Sequence, residues 1–182
     1  QIAQGEQELA YLDSVLESIS EAENLTDLAQ INEELVNTGY LSAKQDKKKR
    51  RRAKPVQGKP FHYRTSDGFD VFAGKNNTQN DLLTLKTAFK SDMWFHTQKI
   101  HGSHVILVCD GRDPTNEAMT EAAEIAAWHS QARGSAQIPV DYSQVRNIKK
   151  PNGAKPGMVI YHVYQTAFVT PDEKKIEKMR IE

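Results

Sequence analysis

The chain has 182 residues, of which 38% are hydrophobic and 26% are charged, and its formal net charge is zero. This length allows one hydrophobic core with a small addition, and no apolar run approaches the ~20 residues that a membrane-spanning helix needs. A single cysteine, Cys109, excludes an internal disulfide framework and fits a reducing compartment. The first residues, QIAQGEQE, have neither a basic start nor an apolar stretch. We therefore expect no secretory signal and no membrane insertion, and a cytoplasmic location.

The zero net charge hides an uneven distribution along the chain. Residues 1–43 contain nine acidic residues and no Lys or Arg, whereas residues 44–60 contain nine basic residues and one acid. Such asymmetry predicts modules with separate partners. We therefore divide the chain into a helical segment (1–43), a basic linker (44–60), a globular domain (61–171) and a C-terminal tail (172–182).

The acidic segment is predicted to form two helices joined by a short link. The first helix has an apolar stripe at three- and four-residue spacing, made of Leu9, Leu12, Val15, Leu16 and Ile19. The second has the stripe Leu25, Leu28, Ile31 and Leu35. Asn24 is placed to cap the second helix and Gly39 to end it. The pattern fits an antiparallel hairpin, which is either the end of a coiled coil or an appendage on the core.

The linker carries six consecutive basic residues, which are Lys47, Lys48, Lys49, Arg50, Arg51 and Arg52. Like charges repel one another, so this run is expected to be mobile. It can contact nucleic-acid phosphates without reading sequence, or it can act only as a solubilising linker. A lone basic run is a weak signal for nucleic-acid binding, and its position between an acidic hairpin and a globular domain adds some weight to that interpretation.

The globular domain is predicted to have α+β architecture, with a mixed or antiparallel sheet flanked by helices. Aromatic and β-branched runs at 61–65 and 69–73 surround an Asp67–Gly68 pair, which is a strong hairpin signal. Further strands are predicted at 93–98, 104–109, 144–148, 158–164 and 167–170, and helices at 81–89 and 113–133.

Two loops of this domain suit an anionic partner. The nine-residue lysine loop, KKPNGAKPG at 149–157, has three Lys and no acid, and its two Pro and two Gly shape the backbone. Taken alone, the loop is better interpreted as a solvated turn between two strands. The run GKNN at 74–77 precedes a predicted helix, whose first N–H groups can bind an anion. This run lacks the spacing of a nucleotide-hydrolysing loop.

Catalytic and metal-binding arrangements are weaker interpretations. Ser103 and His104 are neighbours on a predicted strand, so their side chains point to opposite faces and cannot form a nucleophile–base pair. If Gln98 faces Ser103 across a hairpin, His96 and His104 also lie on opposite faces, which weakens a metal site with Cys109. A change of one residue in the loop length would place both histidines on the same face. Trp94, Phe95 and one histidine are instead expected to pack in or beside the core. We expect no enzyme activity, metal or cofactor.

Several motifs occur in one order along the chain, and together they closely resemble the NFACT-R domain. They are SDGF at 66–69, AGKNNTQND at 73–81, DMWFH at 92–96, GSHV at 102–105, PVDY at 139–142 and KKPNGAKPG at 149–157. NFACT-R is the C-terminal module of the RqcH and NEMF family, and many bacterial members are called fibronectin/fibrinogen-binding proteins of the FbpA type. Residues 9–41 resemble the end of the family's coiled-coil middle region.

The resemblance implies an RNA-binding module of a ribosome-associated quality control factor. It implies the large ribosomal subunit, rRNA and tRNA as partners, and in the whole bacterial protein the extension of stalled chains with alanine. The alternative is an anchorless adhesin that binds fibronectin or fibrinogen at the cell surface without a classical signal. The residues expected on one RNA- or anion-binding surface are Lys75, Asn76, Asn77, Trp94, His96, His104, Lys149, Lys150, Asn152 and Lys155.

Overall fold

The computed structural model describes residues 2–42 and 57–181. The basic run from Lys47 to Arg52, for which phosphate contact was predicted, lies outside these ranges. Within them, none of the helices combines the length and the apolar character that crossing a bilayer requires.

The N-terminal segment forms the predicted helical hairpin, made of α1 (Ile2–Glu21) and α2 (Leu25–Asn37). The Asn24 side chain caps α2 by accepting a hydrogen bond from the Asp27 amide at 3.0 Å. Gly39 follows α2 with a φ of +85°, a left-handed conformation that terminates a helix. The local signals in the sequence therefore account for both ends of α2.

The leucines in the apolar stripe predicted for α1 are exposed to solvent. Leu9 and Leu16 are each 62% exposed, whereas Tyr11, Val15 and Ser18 are buried. Val15 is the one buried member of the predicted α1 stripe, and it packs with Tyr11 and Ile31. The helix α1 contacts the domain through polar and charged groups such as Ser14, Glu8 and Glu21, which hydrophobic periodicity does not detect.

Six strands form one sheet that is antiparallel throughout, in the order β1-β2-β4-β3-β5-β6. The strands are β1 (Phe61–Arg64), β2 (Asp70–Ala73), β3 (Met93–Thr97), β4 (Val105–Leu107), β5 (Ile138–Gln144) and β6 (Gln165–Val169). Gly68 turns the chain from β1 into β2 with a φ of +88°, as its place after Asp67 predicted. The α+β class is confirmed.

The helical elements of the domain cover both faces of the sheet. They are α3 (Asn77–Leu82), a π-helical turn (Leu83–Thr87), α4 (Asn116–Trp128), a 3-10 turn (Val145–Asn147) and α5 (Glu173–Met179). The helix α4 packs on one face through alanines, and Ala122, Ala123 and Ala126 are fully buried. Because alanine is small, the helix axis can approach the sheet closely.

The opposite face of the sheet carries a second, smaller core. Trp94 and Ile106 from the sheet pack there with Leu83, Val145 and Ile148. The π-helical turn, the 3-10 turn and the lysine loop are thereby joined on this face. It is the face on which the predicted binding residues lie.

Several predicted element boundaries were wrong. The segment predicted as a strand at 144–148 is mainly the 3-10 turn, and the strand at 158–164 is reduced to one bridge between Lys149 and Ile160. The helix predicted from residue 81 begins at Asn77, because Asn76 caps it by accepting from the Gln79 amide. The helix predicted at 113–133 is shorter, because Thr115 caps α4, which begins at Asn116 and ends at Trp128.

The register of β3 and β4 corrects the predicted relation of two histidines. Phe95 pairs with Val105. The register of the two strands is therefore shifted by one residue from the predicted pairing of Gln98 with Ser103. A shift of one residue moves a side chain to the other face. His96 and His104 therefore lie on the same face, with ring centroids 5.4 Å apart in an edge-to-face arrangement.

Candidate nucleic-acid interface

The lysine loop at 149–157 has a defined shape. Lys149 and Ile160 exchange backbone hydrogen bonds of 2.9 and 2.8 Å at its base. Gly153 and Gly157 have φ values of +75° and +79°, which are strained for residues with a side chain. The Lys150 ammonium donates across the loop to the Lys155 carbonyl at 2.7 Å. The loop is therefore a preformed element rather than a flexible tether.

The two loops that were predicted to share a surface are neighbours. The Gly157 amide donates to Asp81 Oδ1 at 3.1 Å, and Asp81 Oδ2 lies 2.8 Å from Lys150 Nζ. A Cβ on Gly157 would stand 2.5 Å from Asn77 Oδ1, so the loops touch at this glycine. The acid of α3 thus anchors the lysine loop beside the GKNN segment.

The GKNN segment, however, is covered by the hairpin. The Lys75 ammonium lies 3.2 Å from Glu23 and 3.3 Å from Asp27, and the residue is 9% exposed. The side-chain amide of Asn76 donates through Nδ2 to Gln30 Oε1 at 2.9 Å. Buried charges and amides need such partners. These side chains therefore hold the hairpin against the domain.

Asn77 and the start of α3 bind a hairpin carboxylate. Asn77 Nδ2 donates to Ser14 Oγ at 2.9 Å and to Glu34 Oε1 at 3.2 Å. The Thr78 amide and hydroxyl donate to Glu34 Oε2 at 3.1 and 2.9 Å. The N-terminus of this helix was expected to bind an anion. In the structure, its Thr78 N–H group donates to the Glu34 carboxylate of the hairpin.

Lys155 of the lysine loop is also engaged by the hairpin. Its ammonium contacts the Tyr40 hydroxyl, lies 3.2 Å from Glu8, and sits 4.7 Å from the Tyr11 ring centroid. The hydrogen bond with Tyr40 is the main cause of the raised pKa of Lys155, and Glu8 contributes further. The Glu8 carboxylate accepts hydrogen bonds from the Tyr40 hydroxyl and from Lys155, and both lower the pKa of the Glu8 carboxyl.

Further acids of α1 and the following turn extend this interface. Glu21 Oε2 lies 2.5 Å from His129 Nδ1, and Glu21 also pairs with Arg133. Arg180, after α5, donates to Glu23 at 2.6 Å. The acidic charge of the hairpin, which the sequence shows as segregation, is thus used to dock it on basic groups of the domain.

The aromatic residues of the predicted site belong mostly to the second core. Trp94 is fully buried, and Tyr161 packs on it at 4.8 Å between centroids. His104 is 2% exposed, and its Nδ1 is 2.8 Å from the Thr84 hydroxyl. Burial lowers the pKa of His104 well below its usual value, and His96 adds to the effect. For Trp94 and His104, contact with a ligand stays a prediction, and their observed contacts are with Tyr161 and Thr84.

His96 lies closer to the surface than His104. It lines a cavity of about 120 Å³ between the hairpin and the domain, together with residues such as His101 and Gly157. Burial lowers the pKa of His96 to about 4, so this ring is neutral near pH 7. A neutral ring offers hydrogen bonding and stacking to a ligand rather than charge.

The structure does not assemble the catalytic or metal arrangements considered for this region. Ser103 Oγ donates to the Gly74 carbonyl at 2.5 Å, so it has no contact with the adjacent His104 ring. Cys109 is buried, and burial raises the pKa of its thiol. Among residues 2–42 and 57–181, no group of three His, Cys, Asp or Glu is arranged to hold a metal ion.

Of the predicted binding residues, Lys149 and Asn152 are the most open. Both side chains are exposed, and neither forms an ion pair with the described part of the chain. Lys150 keeps 25% of its side chain exposed while it pairs with Asp81. The predicted surface is therefore divided into a part that the hairpin covers and a part that faces solvent.

The fold and this loop define the class of the protein. Residues 59–162 match the family model of the NFACT protein RNA binding domain, and residues 1–54 match that of the NFACT N-terminal and middle domains. The chain therefore belongs to the NFACT family.

Individual relatives agree with this assignment. The chain is 41% identical over 180 residues to the Rqc2 homolog RqcH of Bacillus subtilis (strain 168), covering 99% of this chain and 31% of that protein. It is 42% identical over 174 residues to the Rqc2 homolog RqcH of Streptococcus suis (strain 05ZYH33), covering 95% of this chain and 30% of that protein. The chain thus spans less than a third of the length of these relatives.

A solved structure has the same fold. It is the C-terminal part of the fibronectin/fibrinogen-binding protein from Streptococcus suis, which is 42% identical and superposes with a TM-score of 0.87. The match covers 99% of this chain and 70% of the solved one.

Proposed function

We propose that this chain is the RNA-binding module of a ribosome-associated quality control factor. The observation that carries the proposal is the match of residues 59–162 to the NFACT RNA-binding domain. The similarity to RqcH proteins extends it to the large ribosomal subunit, rRNA and tRNA as partners, and to a cytoplasmic, ribosome-associated location. In the longer protein, alanine tailing of stalled chains is the proposed activity, and this part contributes binding rather than catalysis.

The shape and charge of the lysine loop support this role. Lys149 stands exposed at the base of a rigid turn, and Asn152 at its tip offers amide hydrogen bonds. Cations provide affinity for phosphates, while amides can contact sugar and base edges. A preformed loop also binds with a smaller loss of conformational entropy than a flexible one.

The first prediction is that the chain binds tRNA and rRNA fragments with an affinity that falls steeply as salt rises from about 50 to about 200 mM. Lys149→Glu weakens binding, because it replaces an unpaired cation by an anion. Fluorescence anisotropy of labelled RNA measures both effects. Changing Lys150 and Lys155 as well is less informative, because their ion pairs with Asp81 and Glu8 hold the loop and the hairpin.

Lys174→Glu is a matched control, since Lys174 is exposed and unpaired in the described residues but lies on α5, outside the lysine loop. Absence of RNA binding at the lower salt concentration would contradict the proposed function.

A second function is tested by the same variants. The solved relative is called a fibronectin/fibrinogen-binding protein, which motivates an adhesin role for this chain. Binding of immobilised fibronectin that is tight, insensitive to salt and unchanged by Lys149→Glu would favour that role.

A further inference from the structure

A group of basic residues outside the hairpin contact has no partner in the part of the chain that the structure describes. Lys86, Lys90, Arg146 and Lys149 are all exposed. None of their side chains forms an ion pair or hydrogen bond with residues 2–42 or 57–181, whereas Lys75, Lys150 and Lys155 do. The sequence around them adds no compensating charge, because 82–91 and 142–170 contain no acid.

The two segments that carry these cations are joined in space. The Arg146 amide donates to the Lys90 carbonyl at 3.1 Å, and the Val145 amide donates to the Asp92 carbonyl at 2.9 Å. Leu83 packs with Val145 and other residues in the second core. The π-helical turn, with Lys86, therefore lies against the 3-10 turn, with Arg146.

An aromatic side chain stands among these cations. Phe89 is 73% exposed, although solvent exposure of a large apolar ring is unfavourable. Its position is held by Asp92, whose Oδ2 accepts from the Phe89 amide at 2.8 Å. Asp92 is itself buried and also accepts from the Cys109 amide at 2.9 Å. Phe89 is thus presented to solvent by a fixed turn.

A groove with a second exposed aromatic ring continues this surface. It has a volume of about 250 Å³ and is lined by Met93, Tyr142, Ser143, Val163, Tyr164 and Gln165. Asn147 donates to Ser143 Oγ, which in turn donates to the Val163 carbonyl, so the groove is tied to the 3-10 turn. Tyr164 is 46% exposed and is supported from behind by Tyr161, at 5.2 Å between centroids.

We propose that the outer basic surface, which comprises Lys86, Phe89, Lys90, Arg146 and Lys149 with the adjoining Tyr164, is the site where this module holds single-stranded RNA. The cations contact phosphates, and unstacked bases pack on Phe89 and Tyr164. This inference rests on the proposed RNA-binding function and specifies its site and the strandedness of the RNA.

Single-stranded RNA fits these features better than the other anionic partners. A duplex keeps its bases stacked inside and would leave both rings without a partner, whereas unpaired bases stack on aromatic side chains. An acidic peptide would satisfy the charges but has no general need for exposed rings. The outer basic surface is also open in the presence of the hairpin, which forms no hydrogen bond or ion pair with it in the described residues.

The test uses the full chain and a fluorescein-labelled single-stranded oligouridylate, with anisotropy measured over a range of salt concentrations. In a parallel background, the six consecutive basic residues at 47–52 are replaced by glutamine, so that this run adds no charge. Lys90→Ala with Arg146→Ala removes two phosphate contacts. The slope of log K against log salt, which is negative, therefore becomes shallower by about 1.4. Phe89→Ala weakens binding between about 5-fold and 150-fold and leaves this slope unchanged.

Lys174→Ala with Lys178→Ala is the matched control, since both residues are exposed and unpaired among the described residues. This control binds like the parent chain if the inference is correct. Circular dichroism melts verify that each variant is folded, as the exposure of the changed side chains predicts.

Each other outcome has a definite meaning. If the chain binds RNA but the double change at Lys90 and Arg146 has no effect, the inference fails and the proposed function stands. Binding that is lost only when the basic residues at 47–52 are replaced likewise assigns the RNA contact to the linker. If the unmodified chain does not bind RNA at all, the proposed function fails. Equal affinity for duplex RNA, equal competition by polyglutamate, or indifference to Phe89→Ala would overturn a single-strand site.

Discussion

At the scale of single residues, the histidines beneath the lysine loop are packing groups rather than cations. His96 stacks on Trp94 with centroids 5.8 Å apart, and His104 meets Trp94 edge-on at 5.4 Å. Burial of both rings disfavours their charged forms and lowers their pKa values. Protonation therefore opposes folding at these positions.

This leads to a pH dependence of stability. Unfolded His96 takes up a proton near its usual pKa of 6.5, whereas folded His96 does so near 4, so its contribution is complete above the first value and is lost as pH falls toward the second. We expect the free energy of unfolding to decrease from about pH 7 to about pH 5, a window above the main titration of Asp and Glu. Urea denaturation at several pH values measures it.

His96→Phe keeps a ring against Trp94 and removes the titrating group, so its stability should change less with pH than that of the parent chain. His162→Phe serves as the control, because His162 is exposed. If all three proteins have the same pH dependence, the buried His96 ring does not cause it.

At the scale of elements, the junction between β2 and α3 depends on a close approach of backbone and side chain. Asn80 Oδ1 accepts from the His104 amide at 3.0 Å, which ties α3 to the start of β4. Gly74 leaves room for this, because a Cβ there would stand only 2.1 Å from Asn80 Oδ1 and 3.0 Å from the Asn80 backbone nitrogen. The second clash involves backbone and cannot be relieved by a rotamer change.

Gly74→Ala is therefore expected to lower the free energy of unfolding by roughly 1–3 kcal/mol, as overpacking does in cores. Thermal or urea denaturation measures the change. Gly134→Ala is the control, because a Cβ there meets nothing within 4 Å. A Gly74→Ala protein as stable as this control would show that α3 can move away from β2 without cost.

At the scale of the whole molecule, the hairpin and the domain are joined by charge more than by apolar contact. Five acids of the hairpin region contact the domain, and they are Glu8, Glu21, Glu23, Asp27 and Glu34. Lys75 is the most buried cation of this interface, and it also lies 4.8 Å from the Phe61 ring centroid. Breaking a buried pair leaves the remaining charge without compensation.

We therefore expect Lys75→Ala to destabilise the chain by about 3–5 kcal/mol, since Asp27 stays buried and keeps, among the described residues, the Glu23 backbone amide at 3.0 Å as its donor. Lys174→Ala, an exposed and unpaired lysine, should change stability by less than about 0.5 kcal/mol. Equilibrium urea unfolding compares the two. A loss at Lys75 as small as that at Lys174 would show that the hairpin can separate from the domain at little cost.

Much of the fold could be predicted from local patterns. The Asn24 cap, the Asp67–Gly68 turn and the strand at β6 follow from rules that involve only neighbouring residues. The 3-10 turn at 145–147 and the single bridge at Ile160 could not, because β-branched and apolar residues there pack in the second core instead of pairing as strands. The register of His96 and His104 depended on one residue of loop length.

The candidate site was predicted in part. The proximity of the lysine loop to the GKNN segment agrees with the expectation of one surface, and Lys149 and Asn152 are open as that surface requires. The sequence analysis did not single out Phe89, Lys90 and Arg146. Arg146 is far from the other two along the chain, and none of the three belongs to a recognisable motif. Their one local signal is the absence of acids around them.

The sequence by itself determined the segregation of charge, the α+β class and the motifs that the NFACT family shares. Only the tertiary structure decided which cations remain available to a partner. Nothing in the sequence alone distinguishes Lys75 and Lys155 from Lys86 and Lys90. In the structure, the first two form ion pairs with hairpin carboxylates, whereas the other two are exposed to solvent. The physical reason is that an ion pair depends on distances between residues far apart along the chain, which periodicity and composition do not contain.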